Sequence, residues 1–138
     1  MSRKTPQITD YNLTGREKDI LSILWNSDNG LIASEIVRIG DGNLTINTVQ
    51  AVLKKLLKRE LIQIDQIVYS GTVLSRSYIP TFTEEEFTLN MISNQILNLK
   101  KFDISPCKFI KHFLDNNIES LSEEEAILLT SIINKKTQ

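Results

Sequence analysis

The densest set of side chains able to do chemistry lies in the run LTINTVQAVLKKLLKRELI, Leu44 to Ile62. Asn47 and Gln50 carry amides that can pair bidentately with adenine. Thr48 offers a hydroxyl or a methyl group to a base edge. Lys54, Lys55 and Lys58 follow as cations, suited to phosphates that position a duplex without specifying it. The run begins at Thr45, a residue type that caps helices.

A helix must hold these groups in order. With Val49 at zero and about 100° per residue, Ile46, Val49, Val52, Leu53, Leu56 and Leu57 fall within roughly 80° of one direction. Asn47, Thr48, Gln50, Ala51, Lys54, Lys55 and Lys58 occupy the opposite arc. The expectation is a helix with a core face and a polar, basic outer face. Ala51, small and near the middle of that face, would let the helix axis approach its target. The bland alternative is a solvated helix surface.

Other reactive residues assemble into little. Cys107 and His112 are five residues apart, which on one helix separates them by about 140° and denies them a nucleophile–base contact. His112 and Asp115 make half a metal site at most, and two ligands do not hold an ion. Glu84–Glu86 and Glu123–Glu125 sit where helix dipoles favour acids. No glycine-rich phosphate loop occurs. We expect no enzyme activity, no cofactor and no metal. One cysteine excludes an intrachain disulfide framework and suits a reducing compartment.

The 138 residues are 41% hydrophobic and 24% charged, ordinary for a globular protein. Net charge is −1, so no global basic signal points to nucleic acid. Its distribution is uneven. Residues 1–80 hold ten Lys/Arg against eight Asp/Glu, and residues 81–138 hold six against nine. No apolar run approaches the roughly 20 residues that span a bilayer. The start MSRKTPQITDYN lacks a signal-peptide core. The expectation is a cytoplasmic protein without membrane insertion.

Along the chain, residues 1–12 read as a flexible arm, with Arg3 and Lys4 as candidate minor-groove contacts. Thr14 and Glu17 form a capping box before a helix whose apolar face is Ile20, Leu21, Leu24 and Trp25. After a turn at Asn26–Gly30 come a short extended Leu31–Ile32, a two-turn helix, and a stop at Gly40-Asp41-Gly42. The Thr45 helix is followed by period-two alternation from Ile62, a turn at Tyr69–Thr72 and a returning strand to Pro80. The fold class expected is mainly α with a small β-hairpin. Helix, short strand, helix, helix, hairpin is the order of a winged helix-turn-helix, residues 13–80. In that reading Ser70 or Arg76 of the hairpin meets phosphate. The rest, residues 81–138, reads as helices. Phe87, Ile92 and Ile96, then Phe109 and Phe113, then Leu128, Leu129, Ile132 and Ile133 form apolar faces that a second copy would cover.

LTGREKDILSILWN, ASEIV, LTINTVQAVLKKLLKRELI and SRSYIP together resemble the penicillinase-repressor family of bacterial repressors, the BlaI/MecI/CopY group. The resemblance implies a homodimer on an inverted-repeat DNA operator, with Thr45–Arg59 as recognition helix, Ile62–Pro80 as wing and the C-terminal helices as dimerisation part. Ala51 and Lys55 stand where the family usually has Thr and Arg. Some members are released when a sensor peptidase system triggers a cut before a Phe, and His112-Phe113 is the nearest match here. The paired C-terminal cysteines of copper-responsive members are missing after Cys107. Two readings stay beside the repressor: a winged-helix protein-interaction module, and a paralogue that dimerises without reading DNA.

Overall fold

Local capping starts most of the helices. In the computed structural model, which describes residues 10–137, Thr14 Oγ1 accepts from the Glu17 N–H at 3.2 Å and Glu17 Oε1 accepts from the Thr14 N–H at 3.1 Å. That box opens α1, Gly15–Trp25. The readings placed on Arg3 and Lys4 lie outside the described residues. β1, Leu31–Ile32, runs directly into α2, Ala33–Ile39, where Glu35 accepts from the Ile32 N–H at 3.1 Å. α3, Ile46–Lys58, is capped by Thr45.

The hairpin behind α3 is longer than its turn residues suggest. β2, Ile62–Ser70, and β3, Val73–Pro80, pair to the very tip, Ser70 opposite Val73. The loop is therefore two residues, and Gly71 takes φ 66° there, a backbone region that L side chains disfavour. β1 joins the other edge of β3, giving an antiparallel sheet in the order β1-β3-β2.

One irregularity interrupts the expected alternation. Ile64 pairs with Tyr78 but Gln66 pairs with Ser77, so Asp65 is a bulge. Buried Ser77 fills the gap, its hydroxyl accepting from the Gln66 N–H at 3.1 Å. Gly30 passes close by: a β-carbon there would stand 2.9 Å from Asp65 Oδ2.

The core joins all of these elements. Ile20, Leu21 and Leu24 of α1, Ile36 of α2, and Val49, Val52, Leu53 and Leu56 of α3 are buried together with Leu61, Ile62, Phe82 and Phe87. Trp25 packs against this cluster, its indole N–H donating to the Phe82 carbonyl at 2.8 Å.

Beyond β3 the chain is helical: α4, Glu84–Leu97; α5, Pro106–Asn117; and α6, Glu123–Thr137, with 3-10 turns at Asn98–Phe102 and Ile118–Ser120. Thr83, Ser105 and the Ser122–Glu125 box cap them. The chain forms two compact units, the first ending at Met91 and the second starting at Ile92, so the border falls inside α4. No helix among the described residues is long and apolar enough to cross a membrane.

Candidate nucleic-acid interface

α3 can present a polar face only if its other face is held, and three anchors hold it. Val49 and Leu56 are fully buried, with Leu53 2% exposed. At the helix start, Arg16 Nη1 donates to the Asn43 carbonyl at 2.9 Å, fixing the loop that leads in. At the helix end, Arg59 gathers three acceptors: Glu17 Oε2 at 2.8 Å, the Asp10 carbonyl at 2.8 Å and the Asn12 carbonyl at 2.9 Å. Burial pushes the Glu17 carboxyl up, but the Thr14 N–H and the Arg59 guanidinium outweigh it and hold it below its ordinary value. The charged pair thus ties α1, α3 and the entering chain at one point. No local sequence signal links Glu17 with Arg59, and neither was an expected site residue.

The outer face is open. Asn47, Gln50, Ala51, Lys54, Lys55 and Lys58 are all exposed. Among the described residues, no side chain of Asn47, Gln50, Lys54, Lys55 or Lys58 has a hydrogen bond or ion pair within the chain. Four donors or cations therefore face solvent on Gln50, Lys54, Lys55 and Lys58, with the Asn47 amide beside them.

One expectation on this helix needs correction. Ile46 is not part of the core face; it is 42% exposed. It lies toward the edge of the apolar arc, in the first turn, where it borders the open cleft toward the wing. Thr45 caps the helix as its residue type suggested, its hydroxyl accepting from the Thr48 N–H at 3.2 Å and donating to Thr48 Oγ1 at 2.9 Å, which leaves it committed rather than free to meet DNA. Thr48 itself is half-buried.

The wing faces α3 across a cleft of about 540 Å³ lined by Ile46, Gln50, Ser70, Leu74 and Arg76, among others. Ser70 and Arg76 are exposed, and both reach this concave surface. Ile67 stands opposite Arg76 and Tyr69 opposite Leu74, which places these four on one face of the hairpin. Ile67, Tyr69 and Leu74 are 66%, 74% and 59% exposed, an apolar character the sequence reading did not single out.

The expected dimer residues divide. Phe87 is a correction: it is 5% exposed, and its ring packs 5.3 Å from Tyr11 and 5.6 Å from Trp25. Its apolar surface is spent inside the first unit. Ile92, Phe113, Leu128, Ile132 and Ile133 are exposed, while Ile96, Phe109 and Leu129 are half-buried. Phe109 and Phe113 stack at 6.4 Å.

The His112–Phe113 bond sits in the middle of α5. Asn116 Nδ2 donates to the His112 carbonyl and Asn117 Nδ2 to the Phe113 carbonyl, each at 2.8 Å, so a protease would have to open the helix to reach it. Cys107 is exposed and unpaired by any disulfide. No group of three or more His, Cys, Asp or Glu able to hold a metal occurs among the described residues.

In the comparison with known proteins, the family model for the penicillinase repressor aligns with residues 13–135, most of the chain. No curated protein matches. Among solved structures, MepR, a transcription regulator of the Staphylococcus aureus multidrug efflux pump MepA, is 17% identical over 92% of this chain and 79% of its own, with a TM-score of 0.43. The Helicobacter pylori ferric uptake regulator Fur is 28% identical over 50% of this chain, with a TM-score of 0.40. The chain spans about half of that Fur structure, 47% of its length.

Proposed function

This chain belongs to the penicillinase repressor family, a family of DNA-binding transcriptional repressors, and from that premise we propose that it represses as a homodimer on an inverted-repeat operator. Each copy lays α3 in a major groove, about 12 Å wide and able to accept one helix. Gln50 and Asn47 read base edges. Lys54, Lys55 and Lys58 neutralise phosphates, and Ser70 and Arg76 of the wing meet the adjacent backbone. Two copies place their recognition helices about one DNA turn apart. The observation that carries this reading is the exposed outer face of α3, whose amides and lysines have no partner among the described residues.

Dimerisation rests on the second unit. No residue from Ile92 to Thr137 is buried. Association costs on the order of 4–15 kcal/mol, and each large apolar side chain fully buried returns about 1.5–3 kcal/mol. A stable dimer must therefore cover most of the exposed Ile, Leu and Phe of this unit. Release follows from losing the dimer, since a single half-site retains part of the contact energy. A sensor peptidase system cutting at His112–Phe113 would separate the reading heads in that way.

The apolar wing favours one rival, a protein-interaction module that uses Ile67, Tyr69 and Leu74. A paralogue that dimerises without reading DNA is a second. Selecting bound sequences from a random duplex pool separates them. The repressor enriches a two-fold symmetric site, and Gln50→Ala costs about 1–3 kcal/mol on that site but less on random duplex. Equal loss on both contradicts base reading. No enrichment at all favours a rival.

A further inference from the structure

We propose that Ile46 is a specificity residue that reads thymine, its side chain meeting a thymine C5-methyl group beside the base paired by Gln50. The inference rests on the DNA-reading role of α3 and names part of what that helix prefers. Ile46 is the first residue of α3, and in a helix-turn-helix the N-terminal residues of the recognition helix are those that reach base edges. It is 42% exposed, while Val49, one turn on, is fully buried. It lies about 40° from Gln50 around the helix axis, and both line the cleft between α3 and the wing.

The chemistry of that cleft selects its occupant. Among the described residues, Arg76 is the one charged side chain lining it and no acid does, which suits a polyanion. The hydroxyl next to Ile46, on Thr45, is committed to the helix cap. The first turn is thus left with an aliphatic side chain and the amides of Asn47 and Gln50. On the major-groove edges of the four base pairs, the single apolar group is the thymine methyl. An aliphatic side chain placed against phosphate or a base amide gains nothing from losing water; against that methyl it gains apolar burial. With Gln50 suited to adenine, the two residues together favour A·T pairs at neighbouring positions of each half-site.

Deoxyuridine, which lacks the methyl group and keeps thymine's pairing, is the probe. A duplex enriched from a random pool by the full-length protein is remade with each thymine in turn replaced by deoxyuridine, and affinity is read by fluorescence anisotropy. One replacement per half-site should weaken the wild-type protein about fourfold, the worth of one buried methyl group. The same replacement should leave Ile46→Ala unaffected, while Ile46→Val stays sensitive to it. If every replacement weakens the wild type and Ile46→Ala equally, or none weakens either, Ile46 does not read thymine although α3 still reads DNA. If the pool yields no enriched sequence, the role of α3 falls and this inference falls with it.

Discussion

The two units of this chain use their apolar residues in opposite ways. In the first, Ile20, Leu21, Ile36, Val49 and Leu56 are fully buried, and the surface of α3 is left polar. In the second, Ile127, Leu128, Ile132 and Ile133 are each more than half exposed, and no described residue is buried. A unit with its own core is stable within one chain and can offer polar groups to a ligand. A unit without one keeps its apolar surface for something outside the chain. The contrast fits the proposal that the first unit reads DNA and the second associates, and each half of that proposal can be broken separately.

The largest effect should come from the second unit. Ile132→Asp puts a charge on the surface proposed to be covered, and light scattering at micromolar concentration should report monomers where the wild type gives dimers. An unchanged dimer would remove α6 from the interface. In the first unit, Leu56→Ala should cost about 2–5 kcal/mol in denaturant unfolding, because a fully buried leucine leaves a cavity. Glu17→Gln comes next, at about 1.5–3 kcal/mol near neutral pH, through the weakened charged bond to Arg59. The Glu17 carboxyl is held below its ordinary value when folded, so its contribution is full above the unfolded Glu range near pH 4.3 and fades as pH falls through the lowered folded value. Wild type should therefore lose its margin over Glu17→Gln in acid. A margin that grows on acidification would contradict the Arg59 pairing.

What the sequence made legible follows the reach of each interaction. The Thr14–Glu17 and Ser122–Glu125 boxes and the Thr45 cap join residues three apart, so spacing alone reveals them. The buried face of α3 was readable from its period, except at Ile46. Burial at the end of a helix depends on what packs beside it, and Ile46 borders the open cleft toward the wing. The Asp65 bulge escaped because Ser77 stabilises it from the neighbouring strand. Phe87 read as one of several apolar residues on α4, yet Tyr11 and Trp25, far away in sequence, claim it. Arg59 was legible only as the end of the recognition helix. Its role is set by Glu17, 42 residues earlier. On α3, the exposure of the amides and lysines and the burial of Val49, Leu53 and Leu56 were therefore legible from the period, whereas the Arg16 and Arg59 anchors at its two ends were not.

The direct test of the central claim is the salt dependence of duplex binding by the full-length protein and by Lys54→Ala. A helix that neutralises phosphates should lose affinity linearly in log–log form as salt rises, and Lys54→Ala should flatten that slope by about one. Wild-type protein that binds no duplex at any salt concentration, or a slope that Lys54→Ala, Lys55→Ala and Lys58→Ala all leave unchanged, would contradict the assignment of the α3 outer face to DNA.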